Sequence, residues 1–354
     1  MKITQVNTPD SFQEFPSQND SDLAESFSTP LDSFYNWDYR NEDTRIRKIY
    51  ELGKERAWNP SKDIEWDTEH PGDIVVLGQW PEGDDPFWFN YRPYRELSDE
   101  DKREFQKHKN LWQLSSILHG EQMGAICCGQ LVSCAPTYQA KLFAAQQAAD
   151  EARHAETMSR YIAERYGCVY PIGEGVKNIF DIALSSKEWD LKFIIVQIVV
   201  EGLAVSTFQI CRNNTNDPLL AQIMDYILQD EARHITFGIN YLGDYLKTLT
   251  EDEINYRAGY ALECCTTLLN RIGFGPGFYK QFGFDPQDAH DYACQFEEDE
   301  IGKQYKIVRK HLLKRVIPNI KRIGLLTDEV RPGYEGLGLL EFEDLPDDME
   351  SYLL

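Results

Sequence analysis

Asp150-Glu151-Ala152-Arg153-His154 recurs eighty residues on as Asp230-Glu231-Ala232-Arg233-His234. A lone glutamate stands thirty positions ahead of each motif glutamate: Glu121 before Glu151, and Glu201 before Glu231. In a helix, positions i and i+3 share one face, one turn apart. Glu151 with His154, and Glu231 with His234, therefore each present a carboxylate and an imidazole side by side. A single Glu-x-x-His arises by chance on surface helices. Two copies inside one repeated pentapeptide, each with a glutamate at the same upstream distance, are not explained that way. Outside the motif the two halves share little sequence.

The flanking pattern is helical. Ser98-Asp99-Glu100-Asp101 offers an N-cap followed by acids in the first turn, and no proline follows until after Cys134. Pro136 is placed to open a second helix that stops at Gly167. A shorter segment covers about 176–184. A third long helix is expected over about 187–212, and Asp217-Pro218 opens a fourth, ending near Leu249. Further helices are expected over 42–57, 251–272 and from 289 or 297 to 323. The four long helices carry one lone glutamate or one Glu-x-x-His each. The fold class expected is all-α: a four-helix bundle with additional helices. Glu201 lies in the apolar run Ile198-Val199-Val200-Glu201-Gly202-Leu203-Ala204, where a lone charge requires a partner.

Four carboxylates and two imidazoles form a ligand set for two metal ions. One Glu from each of two helices plus Glu-x-x-His from each of two others is the dimetal arrangement of ferritin-like bundles. Mixed carboxylate and imidazole ligation suits iron or manganese. Structural zinc would use thiolates or more histidines, and calcium would not select imidazole. Four carboxylates offset two divalent ions, whereas the same cluster without metal is costly to bury. Ligand histidines usually donate their second ring N–H to an oxygen acceptor. Asp150 and Asp230 are the candidates, each reaching across to the opposite histidine, with Arg153 and Arg233 pairing with them. Small or apolar residues one or two turns from the lone glutamates are candidates to line a substrate pocket: Gly124, Ala125 and Cys128 beside Glu121, and Ala204, Val205 and Phe208 beside Glu201.

The bulk numbers narrow the function class. The 354 residues are 42% hydrophobic with a net charge of −23. That balance argues against nucleic acid and anionic membrane surfaces as partners. The run Met1–Asp10 lacks the apolar segment of a secretory signal. The longest strongly apolar stretch, about 193–200, is interrupted by Gln197 and falls well short of the roughly 20 residues of a membrane span. A cytoplasmic location is expected. The eight cysteines include no C-x-x-C spacing, so they read as small buried side chains, not as a disulfide or zinc framework. Residues 1–35 read as flexible or loosely packed, 58–94 as an ordered Trp-rich irregular lobe packed on the core, and 327–354 as a solvated acidic terminus. The organisation expected is 1–97 as N-terminal extension and lobe, 98–325 as the helical metal domain, and 326–354 as an acidic tail.

Glu121, Glu151-x-x-His154, Glu201 and Glu231-x-x-His234 resemble the ligand set of ferritin-like di-iron carboxylate oxygenases, over roughly residues 98–250. That superfamily includes multicomponent monooxygenases, desaturases, the radical subunit of ribonucleotide reductase, arylamine N-oxygenases and dimetal halogenases. The resemblance implies that Glu151 and Glu231 bridge the metals. It makes Glu121 and Glu201 terminal carboxylates at the catalytic face, and His154 and His234 terminal imidazoles. It implies two iron ions, with Mn/Fe or Mn/Mn as alternatives, and O2 as co-substrate. Three positions depart from particular members. Val205 stands where multicomponent monooxygenases place a threonine, and Met158 where the radical subunit places a tyrosine. Ile227 stands where arylamine N-oxygenases place an extra histidine ligand, although overall length and the double motif resemble that group. The reading is an O2-dependent oxidoreductase that oxidises a C–H or N–H bond of a small organic substrate in specialised metabolism. The partners expected are that substrate and a separate electron donor, because no flavin or iron–sulfur motif occurs, with a homodimer as the assembly to test. Halogenation or desaturation on the same core is one alternative; a ferroxidase without organic substrate is another.

Overall fold

The computed structural model describes residues 4–8, 11–14, 26–40, 43–77, 85, 87–269, 274–296 and 310–346. Two antiparallel strands, β1 (Thr4–Thr8) and β2 (Ser11–Glu14), precede α1 (Thr44–Glu55) and the single turn α2 (Arg92–Arg95). The long helices α3 (Asp99–Cys134) and α4 (Tyr138–Arg165) follow, then β3 (Cys168–Val169) and α5 (Glu174–Ser185). Next come α6 (Trp189–Phe193), a π-helical segment (Ile194–Val200), α7 (Glu201–Asn214) and α8 (Pro218–Leu246). Helices α9 (Glu251–Leu269), α10 (Pro276–Gln281) and α11 (Pro286–Phe296) lead to two short helices, Val316–Arg322 and Arg331–Gly336. The fold is all-α and ferritin-like, with one three-stranded sheet in which β1 pairs in parallel with β3. Part of the N-terminal extension is thus paired strand, a non-local pairing that local composition does not reveal.

The chain's own capping chemistry sets the helix ends. Ser98 Oγ accepts from Asp101 N at 3.1 Å, as the capping pattern requires. Thr137, not Pro136, caps α4 by accepting from Ala140 N. Asp217 caps α8 by accepting from Leu219 N at 3.0 Å, and also accepts from Tyr161 Oη and Arg165 Nε on α4. One carboxylate therefore starts α8 and ties it to the end of α4. Gly167 follows α4 with φ +71°, a left-handed turn that favours glycine. The buried Lys192 donates to the carbonyls of Ala183 and Leu184 at the end of α5, where the helix's own N–H donors run out.

Helices α3 and α4 form one packed antiparallel pair, α7 and α8 the other, and α1 lies against α4 and α8. Two apolar clusters occupy the bundle. One holds Cys127, Cys128 and Leu131 of α3, Ala140 to Ala144 of α4, the π segment and Phe237. The other holds Phe105 to Leu114, Met158 to Ile162, Val205 to Cys211 and Leu219 to Ile235. On all four long helices the motif residues fall at the junction of the two clusters. The polar layer is therefore a belt across the middle of an otherwise apolar interior.

Two expectations change. Within the run Trp189–Asn214 an 18-residue window has a mean hydropathy of 1.9, which reaches the range of a membrane span by length and composition, but 72% of that window is buried inside the protein. Residues 191–199 are buried without interruption, which accounts for the apolar character of that stretch. The segment after residue 326 is not a solvated tail: Tyr334, Leu339 and Phe342 join the first apolar cluster. Acids on its outer face hide these aromatic and aliphatic anchors from a composition reading. The lobe over 58–94 packs on the core, with Trp58, Trp88, Tyr91 and Tyr94 in the second cluster. All eight cysteines are free thiols, and six of them are buried.

Candidate dimetal centre

Six side chains from α3, α4, α7 and α8 meet in the polar belt, each at most 6% exposed. His154 Nδ1 lies 3.2 Å from Glu121 Oε2, 3.5 Å from Glu151 Oε2 and 3.3 Å from Glu231 Oε1. His234 Nδ1 lies 3.3 Å from Glu151 Oε1, 3.1 Å from Glu231 Oε2 and 3.8 Å from Glu201 Oε1. Glu151 and Glu231 each turn one oxygen to each histidine, the disposition of bridging carboxylates. Two four-residue clusters result, Glu121/Glu151/His154/Glu231 and Glu151/Glu201/Glu231/His234, each with its ligand atoms within 4.8 Å of one another. The cluster is suited to two metal ions.

The electrostatics support that fit. Burial pushes Glu121 up to about 8, against the pull of His154 beside it. Burial, with Glu231 and Glu151 close by, holds Glu201 well above the usual carboxylate range. Burial would also raise Glu151, but hydrogen bonds from both histidines outweigh it and hold that carboxyl well below its usual range. Burial disfavours the imidazolium at His154 and His234, yet the surrounding carboxylates hold both well above an ordinary histidine. Four carboxylates buried together call for compensating positive charge. Two divalent ions supply the same compensation and leave both Nδ1 atoms free to ligate.

The second ring nitrogens point away from the cluster and cross over. His154 Nε2 lies 2.9 Å from Asp230 Oδ2, and His234 Nε2 lies 3.3 Å from Asp150 Oδ2. A carboxylate acceptor at Nε2 fixes the tautomer with the proton there and the lone pair on Nδ1. Arg153 donates to Asp150 at 2.5 Å and to Asp230 at 2.8 Å, and Arg233 donates to Asp230 at 2.5 Å and to Asp150 at 3.2 Å. Two aspartates and two arginines close a charge-balanced ring behind the histidines.

Three residues escaped the sequence reading. Gln147 is wholly buried and donates to Glu201 Oε1 at 2.7 Å and Glu151 Oε1 at 3.1 Å. Gln197 donates to Gln147 Oε1 at 2.5 Å from within the π segment. The Glu201 N–H bonds to Val196 O, five residues back, so the wider turn ends where the lone glutamate begins. Gly238 on α8 makes room for the π segment, since a Cβ there would stand 2.7 Å from Gln197 Cβ. The available signal was position: Gln147 and Gln197 sit four residues before Glu151 and Glu201, on the same helix faces. Trp58, from the irregular lobe, donates to Asp230 Oδ2 at 2.8 Å and stacks on His154; nothing local marked it. Gln147→Leu is expected to weaken metal binding about 10- to 100-fold, the usual effect of losing an outer partner of a ligand. Metal titration beside far-UV circular dichroism checks this, with helicity unchanged.

A cavity of about 280 Å³ opens onto all four glutamates and neither histidine. Gly124, Ala204 and Phe208 line it. A Cβ on Gly124 would stand 3.4 Å from the Glu151 carboxyl carbon, so glycine there leaves that carboxylate open to the cavity. Ala125, Cys128 and Val205 do not line it. Ala125 is turned about 100° from Gly124 around α3, while Cys128 and Val205 are absorbed into the two apolar clusters. Additional walls come from Val176, Ile179 and Phe180 on α5 and from Leu268 on α9.

This fold and ligand geometry define the class of ferritin-like dimetal carboxylate proteins. The model of the p-aminobenzoate N-oxygenase AurF family matches residues 40–314, and the chain belongs to that family. It is accordingly an O2-dependent di-iron oxidase or oxygenase acting on a small molecule. Ile227 does not remove the chain from the family; it is fully buried in the second apolar cluster, and the ligand set is completed without it. No curated protein matches the chain. Among solved structures, an R2-like ligand-binding oxidase with an aerobically reconstituted Mn/Fe cofactor is similar at 17% identity and a TM-score of 0.46, over 80% of this chain and 94% of that one. A variant of an R2-like ligand-binding oxidase with an Fe/Fe cofactor gives 17% and 0.47 over the same shares.

Proposed function

We propose that the protein is a di-iron monooxygenase that oxidises a C–H or N–H bond of a small organic substrate. Glu121, Glu151, His154 and Glu231 hold one ion; Glu151, Glu201, Glu231 and His234 hold the other. Bound there, the two ions supply the electrons that activate dioxygen, and reduction afterwards draws on a separate donor. Glu151 and Glu231, each with one oxygen toward each histidine, would hold the two ions as a pair. Asp150 and Asp230, held by Arg153 and Arg233, keep both imidazoles in one tautomer and orientation. Gln147 steadies Glu201 at the face that meets the cavity. The apolar clusters on either side keep water from the polar belt. A cytoplasmic location goes with this reading.

The observation that carries the proposal is the cavity. It meets the glutamate face of the centre and leaves the histidine face sealed by the aspartate–arginine ring. A centre that only handles iron needs no organic-sized space there. The test is anaerobic Fe(II) loading, exposure to isotopically labelled dioxygen with a reductant, and mass analysis of a panel of arylamines and hydrocarbons. Label is expected in one substrate class, with O2 uptake accelerated by that class. Uptake indifferent to every organic compound, with ferric iron accumulating on the protein, would favour the iron-handling alternative instead.

A further inference from the structure

We infer that this centre acts on an elongated, uncharged and mainly apolar molecule, and not on an aromatic carboxylate; the inference rests on the oxygenase reading above. The cavity is a slot between α3 and α7. On α3 its wall runs through Gln113, Ser116, Ile117 and Gly120 to Glu121 and Gly124; on α7 it runs from Glu201 through Ala204 to Thr207 and Phe208. Gln113 lies eight residues from Glu121, so the slot extends about 12 Å along the helix from the carboxylates. A molecule that presents its reacting bond to the centre puts its far end against Trp112 and Gln113.

The chemistry of that far end decides the substrate class. Ser116 Oγ donates to Trp112 O at 3.0 Å, and Thr207 Oγ1 donates to Leu203 O at 2.9 Å, so both hydroxyl protons are already engaged. The Gln113 amide has no hydrogen-bond partner among the described residues and offers both donors and an acceptor. The other groups around it are apolar, and among the described residues no lysine, arginine or histidine lines the slot. A carboxylate placed there would shed its hydration and meet no cation among the described residues. It would also approach a chain of net charge −23. An ester, ketone or hydroxyl meets the Gln113 amide without that penalty. The family's name points to an aminobenzoate, whose acid group would lie within this slot, short of Gln113, once its nitrogen faced the metals.

The test uses the full chain loaded anaerobically with Fe(II), with 4-aminobenzoate and its butyl ester as matched probes in equilibrium dialysis near neutral pH. The ester is expected to bind at least about tenfold more tightly than the acid. Ala204→Phe fills the slot and is expected to cost the ester about tenfold or more, with iron content unchanged. Gln113→Lys places a cation at the far end and is expected to shift the ranking toward the acid by about tenfold. Acid binding equal to or tighter than ester, no detectable ester binding, or ester binding indifferent to Ala204→Phe overturns the inference. Iron content is read separately. A chain holding fewer than two irons fails the oxygenase reading, whichever probe binds.

Discussion

Glu151→Ala is expected to leave about one iron or fewer per chain, where the parent loads two, and to abolish substrate-dependent O2 uptake. The reason is the bridge. Glu151 Oε2 faces His154 and Oε1 faces His234, so both ions lose a ligand at once. Loss of an outer partner alone typically costs 10- to 100-fold in metal affinity, and a shared ligand exceeds that at both sites. His154→Ala removes a donor from one cluster only and is expected to empty one site while the other retains its ion. The contrast separates bridging from general damage to the core. Elemental analysis after gel filtration, with oxygen-electrode traces, checks it. Two irons retained in Glu151→Ala would contradict the bridging assignment.

Metal loading is expected to raise the thermal midpoint by roughly 10 °C, and chelation to reverse the shift. Four carboxylates and two imidazoles are buried between two apolar clusters. In the folded chain without cations, Glu121 and Glu201 are pushed toward their protonated forms and both histidines toward imidazolium. An unfolded chain binds the ions far less well, so their binding free energy becomes folding stability. At a hundredfold over Kd each site contributes about 2.7 kcal/mol. Two sites together give about 5 kcal/mol, and 1 kcal/mol moves the midpoint of a chain of this order by about 2 °C. Differential scanning calorimetry of the protein with Fe(II) under anaerobic conditions, and again with excess chelator, gives the comparison. A midpoint indifferent to metal would mean that the cluster is not a metal site.

The site was legible in the sequence to the extent that helix geometry is local. Glu151 and His154 share a face because they are three residues apart, and no tertiary information is needed to see it. Glu201 declared itself as a charge inside an apolar run. The crossed pairing of Asp230 with His154, and of Asp150 with His234, followed from the motif's repetition and the usual second partner of a ligand imidazole. What depends on how helices are rotated and stacked was not legible. Gly124, Ala125 and Cys128 follow Glu121 at helical spacings of three, four and seven residues, but only Gly124 of the three faces the cavity. The α5 and α9 walls come from segments that carry no motif. Trp58 reaches Asp230 across 172 residues, from a lobe whose composition only says irregular. The π segment is hidden because its apolar residues read equally well as α-helix. Tyr334, Leu339 and Phe342 were masked by the acids beside them.

The most direct test of the account is anomalous diffraction from crystals of the Fe(II)-loaded protein at the iron edge. The account predicts two peaks in the mid-bundle belt, one within reach of Glu121, His154 and both bridging glutamates, the other within reach of Glu201, His234 and the same two bridges. A single peak, or peaks held by other residues with these six side chains unligated, would contradict it.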